Sequence, residues 1–112
     1  MKIYHNPRCS KSRQTLQLIQ DAGKNVEIVE YLNAPPTHAE LKSVVQLLGI
    51  SPEQLLRKNE AVFKEQFKGK SFTDDEWLDI MISNPKLIER PIVIDGNKAV
   101  LGRPPETVLT LL

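Results

Sequence analysis

Apolar residues follow a strand-like spacing at residues 2–5, a helical spacing at residues 10–22 and a strand-like run at residues 26–32. Asn6-Pro7 ends the first segment, and Gly23 stands where glycine commonly terminates a helix. The order strand, helix, strand favours a parallel strand pair joined by a right-handed crossover.

Capping signals indicate that the middle of the chain is helical. Thr37 with Glu40, and Thr73 with Glu76, each match the pattern of a capping box, in which two side chains satisfy the first amides of a helix. Ser51-Pro52 matches an N-cap followed by a proline at the first helical position. We therefore predict a helical insert at about residues 37–88.

The last third of the chain returns to strands. Residues 91–94 form a short apolar run, Asp95-Gly96 is typical of a hairpin turn, and residues 99–101 form the returning strand. Residues 102–106 then open a final helix. The predicted fold class is α/β, with a βαβ…ββα core, a small mixed sheet and the helical insert.

Composition limits the function. The chain has 112 residues, of which 40% are hydrophobic and 26% charged, so we expect one domain over residues 1–112. Its 15 basic and 14 acidic residues give a net charge of +1, which argues against a nucleic-acid-binding protein. Apolar runs fall far short of the roughly 20 residues that span a bilayer, and no apolar signal core is visible. We expect a cytoplasmic protein with no membrane partner.

Cys9 is the first candidate for chemistry. As the only cysteine, it cannot form an intramolecular disulfide, and with two histidines at unrelated positions we expect no metal site. It lies between the first strand and the first helix, directly before Ser10, the predicted N-cap. Backbone amides and the helix dipole would favour a thiolate there. The alternative is a buried structural cysteine.

Charged residues near Cys9 would favour its thiolate further. Arg8 and Lys11 flank the loop, and an imidazolium at His5 would act in the same direction. The alternative for His5 is a strand-end histidine that hydrogen-bonds to the backbone.

The same loop suits an oxyanion, because successive amides at a helix start bind phosphate-like groups. A thiolate and a dianion repel each other, so further cations are needed. Arg57, Arg90 and Arg103 stand at predicted element ends and could supply bidentate contacts. The alternative for each is a solvated or salt-bridged surface arginine.

Several motifs together resemble the glutaredoxin-dependent arsenate reductases, in order and over essentially the whole chain. The resemblance implies a thioredoxin-like fold with a helical insert and a cis peptide bond at Pro91. The motifs are His5-Asn6-Pro7-Arg8-Cys9-Ser10-Lys11-Ser12-Arg13, Tyr31-Leu32 with Pro35-Pro36, Leu55-Leu56-Arg57-Lys58-Asn59, Phe72-Thr73-Asp74-Asp75, Glu89-Arg90-Pro91-Ile92-Val93 and Gly102-Arg103-Pro104.

The resemblance also implies roles for individual residues. Cys9 matches the nucleophile of the family, and His5 matches the histidine that aids it. The oxyanion-binding arginines correspond to Arg57, Arg90 and Arg103. We further expect Ser10 and Ser12, on the segment that follows the nucleophile, to contact the substrate.

The implied mechanism needs no bound cofactor. Cys9 attacks arsenate to give a thiol–arsenic adduct, glutathione attacks that adduct, and glutaredoxin supplies reducing equivalents until arsenite leaves. A single cysteine cannot resolve its own intermediate as a disulfide, so external thiols are required.

Two departures from the family pattern leave alternatives open. Ser10-Lys11 replaces a Gly-Thr pair of the best-known plasmid-type members, and Arg8 replaces a small residue. The true substrate could therefore be another thiol adduct reduced with glutathione. A regulator of the Spx type, which binds RNA polymerase, is the second alternative, although Ser12 occupies the second position of the usual Cys-x-x-Cys switch.

Overall fold

The computed structural model describes all 112 residues and divides into two compact units. The first comprises Met1–Ala34 with Arg90–Leu112, and the second comprises Pro35–Glu89. The elements of the first unit are β1 (Lys2–Tyr4), α1 (Ser10–Asp21), β2 (Glu27–Val29), β3 (Ile92–Asp95), β4 (Lys98–Leu101) and a 3₁₀ helix (Pro105–Leu111). Those of the second are α2 (His38–Leu48), α3 (Ala61–Gln66), α4 (Asp74–Ser83) and 3₁₀ turns at Pro52–Leu55 and Pro85–Leu87.

The first unit contains a mixed sheet with the strand order β2-β1-β3-β4. Strand β1 runs parallel to β2, as the β-α-β order requires, and antiparallel to β3. Strands β3 and β4 form an antiparallel hairpin in which Asp95 pairs with Lys98, and Gly96 in the turn has a φ of 61°. The predicted α/β class and the small mixed sheet are confirmed.

The core of the first unit lies between the sheet and its two helices. Ile3 on β1, Val93 on β3, Ile19 on α1 and Val108 on the C-terminal 3₁₀ helix are fully buried in one cluster. Helix α1 packs against the C-terminal 3₁₀ helix. This packing fixes the start of α1 relative to the ends of the central strands.

The predicted capping boxes of the second unit are confirmed. The Thr37 hydroxyl accepts from the Glu40 amide and the Glu40 carboxylate accepts from the Thr37 amide, and Thr73 and Glu76 repeat the arrangement at α4. Gly49 ends α2 in the left-handed conformation at a φ of 70°. No helix of the structure combines the length and apolar character needed to cross a membrane.

Several predicted elements differ from those observed. Strand β2 is shorter than residues 26–32 because the carbonyl oxygen of Glu30 accepts from the Asn33 and Ala34 amides and turns the chain. The helix predicted after Ser51 and the final helix are both 3₁₀ helices, and each begins at a proline. Helix α3 was not predicted, because it is only six residues long.

Candidate active site

Cys9 itself is the N-cap of α1, so the assignment of that position to Ser10 is wrong. The Cys9 carbonyl oxygen accepts the first helical hydrogen bond, from the Arg13 amide at 3.0 Å. Its own amide donates to the Asn6 carbonyl oxygen at 3.0 Å, which closes the turn before the helix. The cysteine side chain therefore stands beside amides that have no partner inside the helix.

The Cys9 thiol is half-buried, and its pKa is lowered from the ordinary value. Partial burial raises the pKa, but the backbone amides of Ser12 and Lys11, in the first turn of α1, lower it although Cys9 makes no capping hydrogen bond. The charge of Arg90 and a side-chain hydrogen bond from Arg103 also lower it. The net effect favours the thiolate, which is the nucleophilic form of cysteine.

Arg90 and Arg103 both lie at the open end of the β3–β4 hairpin, one beside each strand. Arg90 precedes β3 and Arg103 follows β4, and a guanidinium nitrogen of Arg103 donates to the Arg90 carbonyl oxygen at 3.2 Å. The Gly102 amide donates to the Pro91 carbonyl oxygen at 2.9 Å. The Arg90–Pro91 peptide bond is cis, as is that between Arg103 and Pro104. Two cations thus converge on one sulfur.

Gly102 is buried where the end of β4 meets α1. A Cβ atom at this position would lie 2.5 Å from the Thr15 hydroxyl oxygen and 2.8 Å from Cγ of Pro91. The Thr15 hydroxyl donates to the Lys11 carbonyl oxygen at 2.8 Å, which ties it to the first turn of α1. Only glycine allows this approach, which fixes the backbone directly before Arg103. Neither residue was predicted to shape the site, although a glycine directly before a site arginine is a usable signal.

His5 is 7% exposed at the end of β1, and its Nδ1 atom lies 2.6 Å from the Ser12 hydroxyl oxygen. Burial lowers the pKa of His5, Glu30 raises it and Arg13 lowers it, with a net decrease. A lowered histidine pKa favours the neutral ring, and an action of His5 on Cys9 stays a prediction.

Ser12 connects the histidine to the Cys9 loop. Its side chain is fully buried and its hydroxyl oxygen accepts from the Asn6 amide at 3.0 Å, while its own amide lowers the pKa of Cys9. Ser10, in contrast, is exposed. Ser12 thereby fixes the geometry of the turn from His5 to Cys9.

The flanking cations act differently from the prediction. Lys11 lowers the Cys9 pKa through its backbone amide, while Arg90 acts through its charge and Arg103 through a side-chain hydrogen bond. Arg8 is exposed, and its backbone amide donates to the Asn6 side-chain oxygen at 3.0 Å.

Arg57 belongs to the second unit. Its guanidinium lies 2.8 Å from the Glu60 carboxylate, and its backbone amide donates to the Leu87 carbonyl oxygen at 2.8 Å. A role for Arg57 in oxyanion binding stays a prediction. No group of three or more His, Cys, Asp or Glu side chains is arranged to hold a metal ion.

Comparisons with known proteins identify the family of this chain. Residues 4–111 match the ArsC family. The chain is 45% identical to the uncharacterized protein YfgD of Escherichia coli (strain K12), over 100% of this chain and 96% of that protein. It is 44% identical to an arsenate reductase of the same organism, over 98% of this chain and 79% of that enzyme.

A solved structure of an arsenate reductase from Vibrio cholerae superimposes with a TM-score of 0.94 at 44% identity, covering 100% of this chain and 98% of the other. The family match spans nearly all of the sequence, and both the relatives and the solved structure cover both units. The chain belongs to the ArsC family and has its thioredoxin-like fold.

Proposed function

We propose that this protein is an arsenate reductase that converts arsenate to arsenite through the thiolate of Cys9. The observation that carries the proposal is the position of Cys9 at the N-cap of α1, with two backbone amides and the side chains of Arg90 and Arg103 acting on its sulfur. Relatives named arsenate reductase, at 40–44% identity, support the choice of substrate.

The first step is a nucleophilic displacement at arsenic. The Cys9 thiolate forms a sulfur–arsenic bond, one arsenic–oxygen bond breaks, and the oxygen leaves as water after taking up protons. Arg90 and Arg103 neutralise the charge of the oxyanion beside the thiolate, which would otherwise repel it. The resemblance assigns Arg57 to the same oxyanion, and we include that assignment in the proposal.

External thiols complete the reaction, because the chain has a single cysteine. A glutathione thiol displaces a second oxygen from arsenic as water. A glutaredoxin thiolate then attacks the glutathione sulfur, and the electron pair of the arsenic–sulfur bond stays on arsenic. Arsenic(V) becomes arsenic(III), two thiols become one disulfide, and hydrolysis releases arsenite and the Cys9 thiol. These reductants are maintained in reducing compartments, so we place the reaction in the cytoplasm.

Ser12 and His5 act as positioning residues in this scheme. Ser12 holds the turn before Cys9 and its amide lowers the pKa of Cys9, and His5 supports the Ser12 hydroxyl. Ser10, on the exposed first turn of α1, contributes a hydroxyl that can donate to the oxyanion. No metal or bound cofactor takes part in any of these steps.

The test is arsenite formation from arsenate with glutathione and glutaredoxin, with each thiol omitted in turn. We expect arsenite only when both thiols and Cys9 are present, and none with Cys9→Ser. A Lys98→Ala variant, altered at an exposed position on β4, is the control and should match the parent. Reduction of a mixed glutathione disulfide without any arsenite would instead indicate a glutathione-dependent reductase of another substrate.

A further inference from the structure

A cavity of about 300 Å³ adjoins the Cys9 loop within the first unit. One wall is the turn at residues 5–8, and the other is formed by residues that follow β2. Its polar lining consists of His5, Asn6, Arg8, Glu30 and Asn33. A cavity of this size is typical of a small-molecule site.

Both walls are held by hydrogen bonds. On the first wall, the Arg13 guanidinium donates to the Pro7 carbonyl oxygen at 2.9 Å, and the Asn6 side-chain oxygen accepts from the Arg8 amide. On the second wall, the Glu30 carbonyl oxygen accepts from the Asn33 amide at 3.0 Å. The cavity is therefore formed before any ligand enters.

The cavity offers one positive and one negative side chain, which suits a ligand that carries both a positive and a negative charge. The Arg8 guanidinium and the Glu30 carboxylate are exposed, and neither is in an ion pair. Arginine recognises carboxylates, and a carboxylate recognises an ammonium group. The amides of Asn6 and Asn33 offer donors and acceptors suited to peptide groups.

We propose that this cavity binds glutathione, with Arg8 holding its glycine carboxylate and Glu30 holding its γ-glutamyl ammonium group. The inference rests on the proposed function, which requires an external thiol at Cys9. Arg8 directly precedes Cys9, and neighbouring Cα atoms are about 3.8 Å apart, so a tripeptide of about 10 Å anchored at Arg8 lies next to the loop that carries the nucleophile.

Arg8 is one of the two departures of this sequence from the best-known plasmid-type members of the family. The proposal gives that departure a role, because a small residue at position 8 could not hold a carboxylate.

Binding is tested without turnover by titrating glutathione into the Cys9→Ser protein in a calorimeter. Arg8→Ala and Glu30→Gln, each introduced separately into the Cys9→Ser protein, should raise the Kd roughly tenfold or more. Each substitution removes a charge-assisted contact. Lys24→Ala, which removes an exposed cation outside the cavity, is the matched control and should leave the Kd unchanged.

A glutathione ethyl ester, blocked at the glycine carboxylate, identifies the contact made by Arg8. We expect the ester to bind the Cys9→Ser protein more weakly than glutathione does. Replacing Arg8 by alanine in that protein should not weaken the binding of the ester any further. In turnover, Arg8→Ala should raise the KM for glutathione.

The outcomes separate this inference from the proposed function. Unchanged glutathione binding in both cavity variants would overturn the inference, even if the protein reduces arsenate. Binding that depends on Arg8 and Glu30 in a protein that makes no arsenite would support the cavity and contradict the proposed function.

Discussion

A guanidinium nitrogen of Arg103 lies 3.2 Å from the carbonyl oxygen of Arg90 and donates a hydrogen bond to it. This contact joins the two residues whose side chains lower the pKa of Cys9. The carbonyl oxygen draws the Arg103 guanidinium toward Arg90, and thus toward the sulfur on which both act. Arg103 therefore has two functions. Its guanidinium binds the Arg90 carbonyl oxygen and so positions the two arginines, and its side chain lowers the pKa of Cys9.

Substitution of Arg103 tests the second function. Arg103→Ala should lower kcat/KM for arsenate by one to two powers of ten, because it removes a charge-assisted contact of about 1.5–3 kcal/mol. Arg103→Lys should recover part of this loss, since lysine keeps the charge but cannot donate from a planar fork. Equal kcat/KM values for the parent and Arg103→Ala would contradict the assignment.

Ser12→Ala tests the support of the Cys9 turn. The variant removes the buried partner of His5 Nδ1 and the acceptor of the Asn6 amide, so we expect a loss of about 1–3 kcal/mol in the free energy of unfolding. Urea denaturation measures this loss. Ser10→Ala, at the exposed neighbouring serine, should change the free energy by no more than about 0.5 kcal/mol. Equal losses in the two variants would be inconsistent with a structural role for the buried hydroxyl.

Gly102→Ala tests the close approach of β4 to α1. The added Cβ would overlap the Thr15 hydroxyl and Pro91, and we expect destabilisation of about 1–3 kcal/mol. Thr15→Ala removes two of the three nearest atoms, so the double variant should be less destabilised than the sum of the single variants. Additive values from urea denaturation would show that the two sites do not interact.

His38 gives the second unit a pH-dependent contact. Its Nδ1 lies 2.7 Å from Asp79 and its Nε2 3.2 Å from Asp75, which also lies 3.8 Å from the Lys42 ammonium. The Asp79 hydrogen bond is the main cause that raises the pKa of His38, against a smaller opposing effect of desolvation.

The sign of the effect follows from the raised pKa. The stabilisation is fully present below the unfolded histidine pKa of about 6.5 and is lost as pH rises through the higher folded value. The unfolding free energy of the parent should therefore exceed that of His38→Gln. This difference should be larger at pH 5.5 than at pH 8.5. The same difference at both pH values would contradict the assignment.

Local signals in the sequence predicted much of the fold. A capping box needs only residues three positions apart, so Thr37 with Glu40 identified the start of α2 to the residue. The reactive position of Cys9 was predicted in the same way, because it depends on a strand end and a helix start that are adjacent in the chain.

The contacts that refine the site depend on tertiary structure. Gly102 meets Thr15 only because the β3–β4 hairpin returns the chain to α1, and no spacing in the sequence encodes that approach. The direction of the His5 pKa shift could not be predicted from the sequence for a similar reason. Its pKa depends on burial, and burial arises only once β1 pairs with its neighbours.

The rate of Cys9 alkylation as a function of pH tests the account most directly, because every proposed step begins with the thiolate. We predict a midpoint below the pKa of about 8.5 for a free cysteine. The midpoint should rise in Arg103→Ala and stay unchanged in Lys98→Ala. A midpoint at or above that of free cysteine in the parent protein would contradict the account.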